Sequence, residues 1–107
     1  MKLIIAIVSK EDSSTVMKEL IKQKYFVTKL SSSGGFLKSG NTTLMIGAKD
    51  QDVDSIIQVI SDYSKTRKEM VPNSIVREFG YVSTMPSEVV VGGATLFIVN
   101  VDKFIKL

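Results

Sequence analysis

The chain contains no cysteine and no histidine. Without cysteine there is neither a disulfide nor a thiolate nucleophile. Without histidine the commonest general base and metal ligand is missing, so an enzyme built on this sequence would have to work with carboxylates or lysine. Long apolar runs are lacking too. The apolar run at residues 3–8 is closed by Lys10, Glu11 and Asp12, which makes it a buried strand rather than a signal peptide or a membrane span. A cytoplasmic protein with no membrane insertion is the expectation. There is also no dense stripe of one charge. Fourteen Lys and Arg against eleven Asp and Glu give a net charge of +3, which tolerates an anionic ligand but falls short of a nucleic-acid footprint.

What is present is the composition of a globular domain: 107 residues, 44% hydrophobic and 23% charged. Such a chain buries a small core, and association with copies of itself would bury more. Residues 2–8, apolar at every position after Lys2, read as a central strand covered on both faces. Asp12 or Ser13 is a plausible cap for a following helix, whose stripe is Val16, Met17, Leu20 and Ile21 and whose end is expected near Lys24. β character resumes over residues 25–30 and again over residues 42–48. Val53, Ile56, Ile57 and Ile60 stand at i, i+3, i+4 and i+7, the clearest helical signal in the chain.

Two charge clusters bracket that second helix. Asp50, Asp52 and Asp54 gather at its start and Lys65, Arg67 and Lys68 at its end, as the helix dipole favours. The acidic cluster lacks the remaining ligands and the glycine of a calcium loop, so helix stabilisation is the preferred reading. Residues 69–87 carry both prolines, Pro72 and Pro86, and read as a long connection with room for a short hairpin. Residues 88–91 are β-like, Gly92-Gly93 marks a bend or bulge, and residues 94–101 form the last strand. The tail, with Phe104, Ile105 and Leu107, is expected to pack. Two helices on one face of a mainly antiparallel four-stranded sheet give an α+β, ferredoxin-like βαββαβ sandwich.

Function must come from the loops. Between the second and third strands lie three serines, Gly34-Gly35, Phe36, Leu37 and Lys38. Ser and Gly offer backbone N–H donors, lysine offers charge, and phenylalanine offers a ring. That is suitable chemistry for a nucleotide. An ordinary hairpin connection with Phe36 folded onto the core is the competing reading. No nucleophile–base pair or metal-ligand cluster is visible, which disfavours an enzyme.

The start of the chain (Met1 to Val8), Thr28-Lys29-Leu30, the Ser-Gly-Gly-Phe-Leu of Ser33 to Leu37, and Ser39-Gly40-Asn41-Thr42-Thr43 resemble the PII-like cyclic-di-AMP receptor family. So do Val91-Gly92-Gly93-Ala94-Thr95, the following Phe97, and Val101-Asp102 with Phe104. The resemblance covers nearly the whole chain as a single PII-like domain, 1–107, with loops at 31–41 and 69–87. It implies a homotrimeric, non-catalytic signalling protein of Gram-positive bacteria. That protein would need no cofactor and would bind one cyclic di-AMP in each cleft between subunits. The loops would reorder on binding to regulate a downstream protein, and they are expected to be the mobile parts without ligand.

Carried onto matching positions, Thr28 and the backbone around Gly35, Phe36 and Leu37 would line the ligand. Asn41 would read an adenine edge, since its amide has both a donor and an acceptor. Gly47 would leave room, Phe97 would give apolar contact, and Lys106 would approach the phosphates. The chain departs from the family pattern in two places. Phe26 stands where members commonly have arginine, and Thr84-Met85-Pro86-Ser87 replaces the usual approach to Glu88. These departures favour an alternative, a PII-like protein-binding module whose nucleotide ligand is lost or different.

Overall fold

The computed structural model describes residues 1–30, 40–71 and 87–107. Strand β1 (Lys2–Ser9) leads into helix α1 (Lys10–Lys22), strand β2 (Phe26–Leu30) and strand β3 (Asn41–Ala48). A 3₁₀ turn (Asp50–Asp52) precedes helix α2 (Val53–Tyr63). Strands β4 (Arg67–Val71), β5 (Ser87–Val91) and β6 (Ala94–Asn100) follow. The main sheet runs β2-β3-β1-β6 and every pairing in it is antiparallel. Four strands and two helices in this order are compatible with the expected ferredoxin-like arrangement. The addition is a two-stranded antiparallel ribbon, β4 with β5, between α2 and the last strand of the sheet.

Strand β1 alternates. Ile4, Ala6 and Val8 are fully buried under the helices, together with Leu44, Ile46 and Ala48 of β3. Val16 and Leu20 of α1 and Ile56, Val59 and Ile60 of α2 complete this core. Each Val, Leu or Ile side chain among them is worth about 1.5–3 kcal/mol when taken out of water. Leu3, Ile5 and Ile7 point the other way; Ile7 is buried, whereas Leu3 and Ile5 are only half-buried. In the single chain this second face is therefore open over Leu3 and Ile5, where the sequence pattern suggested cover on both.

Helix α1 starts earlier than expected. Its cap is Ser9, whose Oγ accepts a hydrogen bond from the Asp12 backbone N–H at 3.3 Å. Asp12 and Ser13 lie inside the first turn and are buried. The helix ends at Lys22 with its cap at Gln23, close to Lys24. Lys24 has φ = 69°, its N–H donates to the Ile21 carbonyl (2.8 Å), and the Tyr25 N–H donates to the Leu20 carbonyl (3.0 Å). That is a Schellman ending with lysine at the position glycine usually fills, and Tyr25 packs onto the core beside it. Ile21, expected in the buried stripe, faces out.

Three further expectations change. Residues 69–71 and 87 belong to the paired strands β4 and β5, and residues 72–86 lie outside the described residues. Arg67 and Lys68 are strand residues, not the end of α2, because that helix closes at Tyr63. In the single chain the tail does not pack: Phe104 and Ile105 are each 65% exposed. Among the described residues no helix is long and apolar enough to cross a membrane.

Candidate functional site

Residues alternate across a strand, so register assigns each predicted site residue to a face. Thr28 pairs with Met45, Met45 with Ile5, and Ile5 with Phe97. Phe26 pairs with Gly47, Gly47 with Leu3, and Leu3 with Val99. These two rows run side by side across the open face. Asn41 continues the alternation of Met45 and Gly47 on β3, while Thr42, Leu44 and Ile46 between them are buried on the helix side. Thr28, Asn41, Gly47 and Phe97 therefore share one side of the sheet.

They are not all adjacent. Thr28 is on edge strand β2 and Phe97 on edge strand β6. Three strand spacings separate them, about 14 Å at the usual spacing. Gly47 is exposed, and a Cβ built there meets no atom within 4 Å, so the sheet has a notch at that point. Phe26 beside it is 86% exposed. Lys106 is exposed in the tail beyond β6. Gly35, Phe36 and Leu37 lie outside the described residues.

Asn41 stands in a second setting. It lines an open pocket of ≈ 340 Å³ with Ile7, Thr66, Gly92, Gly93, Ala94 and Thr95. One wall is the end of the main sheet, where Asn41 pairs with Ser9. The other wall is the base of the β4–β5 ribbon. Gly92 and Gly93 turn the chain there with φ of 83° and 85°. A side chain on either would collide: a Cβ at Gly92 falls 2.5 Å from the Lys65 carbonyl oxygen, and one at Gly93 falls 2.7 Å from Thr66 Oγ1. The hydroxyl residues Thr66 and Thr95, the amide residue Asn41 and the apolar Ile7 and Ala94 around an open pocket suit a polar ligand with apolar edges.

Sequence reasoning missed the charged group behind this pocket. Arg67 Nη2 donates to Asp12 Oδ1 at 3.0 Å and Arg67 Nη1 to Asp12 Oδ2 at 3.2 Å. Ser9 Oγ donates to Asp12 Oδ2 at 2.9 Å. Asp12 is 8% exposed, so its charge is satisfied by these partners rather than by water. Residues 12 and 67 are far apart in sequence, and only the fold brings them together.

The acidic cluster at residues 50–54 has a different role. Asp50 accepts a hydrogen bond from the Met1 ammonium at 3.1 Å. That hydrogen bond first, then the ammonium's charge, and to a lesser extent Lys2 hold the Asp50 carboxyl below its ordinary value. Among the described residues no group of three acidic, His or Cys side chains is placed to hold a metal ion.

The family model described as cyclic-di-AMP receptor matches residues 1–107. A crystal structure of a protein of unknown function from Pediococcus pentosaceus ATCC 25745 is 39% identical, with a TM-score of 0.79. The match covers 99% of this chain and 96% of that one.

Proposed function

The chain belongs to the cyclic-di-AMP receptor family, and from that premise we propose that it is a non-catalytic signalling protein that binds cyclic di-AMP in the clefts between subunits of a homotrimer. Binding would change the loops that follow β2 and β4, and a downstream protein would read the change. The observation that carries this reading is the placement of Thr28, Asn41, Gly47 and Phe97 on one open sheet face, with Thr28 and Phe97 on its opposite edges. Two edges of one sheet contact a single small ligand most simply when another copy closes the gap.

The chemistry of these residues supports the assignment. A cyclic dinucleotide carries two phosphates and two bases. The Thr28 hydroxyl and the Asn41 amide supply hydrogen bonds, and Asn41 pairs donor with acceptor as an adenine edge requires. Phe97 supplies apolar surface, and a base stacked on an aromatic ring is worth ~1–3 kcal/mol. The notch at Gly47 leaves room. Lys106, in the exposed tail beyond β6, would bring positive charge toward the phosphates.

Calorimetric titration with cyclic di-AMP tests the reading, alongside cyclic di-GMP, ATP and ADP in a thermal-shift assay. Saturable binding of cyclic di-AMP alone, with a raised melting temperature, is expected. No heat at high micromolar cyclic di-AMP would overturn it. A second reading, a protein-binding module with a lost or different nucleotide, has one observation in its favour. Phe26 is a large exposed aromatic side chain on that same face.

A further inference from the structure

The ion pair between Arg67 and Asp12 connects two parts of the molecule that share no strand pairing. Among the described residues strands β4 and β5 pair only with each other. Arg67 is the first residue of that ribbon, and Asp12 lies in the first turn of α1. Asp12 is tied in two directions. Through Ser9 Oγ it reaches the residue that pairs with Asn41 across β1 and β3. The Lys10 N–H fixes the same corner by donating to the Gly40 carbonyl at 2.8 Å. Through both arms of the Arg67 guanidinium it holds the start of the ribbon. Arg67 Nη1 in turn donates to the Lys65 carbonyl at 3.2 Å. It also packs against Gly92 so closely that a Cβ there would lie 2.6 Å away.

Asn41 and Gly92 stand on the two walls of one pocket. A single carboxylate is thus bound to both walls, to one through Ser9 and to the other through Arg67. We propose that Asp12 and Arg67 are positioning residues that clasp the β4–β5 ribbon to the main sheet and set the width of the pocket beside Asn41, so that occupancy of the pocket is transmitted to the ribbon. The second part of this inference rests on the reading of the site as a cyclic-di-AMP site. The clasp itself does not.

Several physical features fit the role. Two parallel N–H···O bonds fix the angle between guanidinium and carboxylate, which a lysine in place of Arg67 would not do. Asp12 is screened from water, so loss of its partner is felt. Arg67 itself is about a third exposed, which keeps the pair weak enough to open. Glu11, at 3.8 Å from Arg67 Nη2 and well exposed, adds a second negative charge without fixing geometry. Coupling between ligand and ribbon must be reciprocal: whatever holds the ribbon must tighten the pocket, and whatever fills the pocket must quiet the ribbon.

Backbone amide exchange over 67–71 and 87–91 tests this, in wild type, Asp12→Asn, Arg67→Lys and the double variant. Without ligand, each single substitution should speed ribbon exchange about tenfold and the double no further, because both remove one interaction. Exchange in α2 and the middle of β3 should stay unchanged, a pattern that a general loss of stability would not give. Ribbon exchange at the wild-type rate in the single variants overturns the clasp. With cyclic di-AMP, wild-type ribbon exchange should slow, and the variants should bind about tenfold more weakly and lose that slowing. Variants that bind as tightly as wild type and still slow the ribbon overturn the transmission. If wild type binds no cyclic di-AMP, the functional reading fails, while the ligand-free exchange still decides the clasp.

Discussion

Thr28 and Phe97 stand on the same face of one sheet and on its two opposite edges, with β3 and β1 between them. Between them lie Met45 and Ile5, and beside them Leu3 and the 47% exposed Val99. Apolar side chains thus run across this face, and further copies of the chain are the partners proposed for it.

Light scattering should therefore give a mass of three times the 11.8 kDa chain at micromolar concentration. Val99→Glu should lower that mass. In a lone chain the new carboxylate faces solvent and is tolerated. In an assembly it buries an unpaired charge, which is strongly unfavourable. A wild-type mass of one chain would sink the homotrimer.

Much of the fold was legible because periodicity is a local signal. Val53, Ile56, Ile57 and Ile60 announced α2, and residues 3–8 announced β1. Errors came where one contact decided between local alternatives. Ser9 competes with Asp12 and Ser13 as a cap, and the Ser9–Asp12 hydrogen bond settles it. Ile21 fits the α1 stripe, but it stands about 100° round the helix from buried Leu20 and faces out. Arg67 looked like a helix-terminal charge because its true partner, Asp12, is remote in sequence. The face shared by Thr28, Asn41, Gly47 and Phe97 required the register of four strands, and no single strand reveals that.

Lys24 carries a left-handed backbone that a side chain disfavours by roughly 1–2 kcal/mol, and glycine avoids this strain. Lys24→Gly should raise stability by about 0.5–1 kcal/mol once the extra freedom of the unfolded chain is subtracted. Chemical denaturation checks it through a shifted midpoint at unchanged slope. A lowered midpoint would mean that the lysine side chain has a compensating role.

The Asp50 carboxyl is held below its ordinary value by the Met1 ammonium. A carboxyl with a depressed folded value adds stability above its unfolded value and loses it as pH falls through the folded one. The melting temperatures of wild type and Asp50→Asn should therefore differ slightly at neutral pH. They should converge as pH drops below about 4, the ordinary carboxylate value. A gap that widens on acidification would refute the pairing.

Asn41 offers the sharpest test of the site. It begins β3, pairs with Ser9, and lines the pocket with Ile7, Gly92 and Thr95. Its neighbour Thr42 is buried, whereas Asn41 lies only half-buried at the rim. Loss of its amide should therefore disturb a ligand more than the core. Removing a buried hydrogen-bonding side chain costs about 1–3 kcal/mol, or roughly tenfold to a hundredfold in affinity. Asn41→Ala should weaken cyclic di-AMP binding by that factor in calorimetric titration, while the oligomeric mass and the melting temperature without ligand stay close to wild type. Asn41→Asp keeps the size and one acceptor but removes the donor, and places a negative charge near the phosphates. It should bind more weakly than Asn41→Ala. If Asn41→Ala binds as tightly as wild type, recognition of the base rests on other groups, and Asn41 serves only to start its strand.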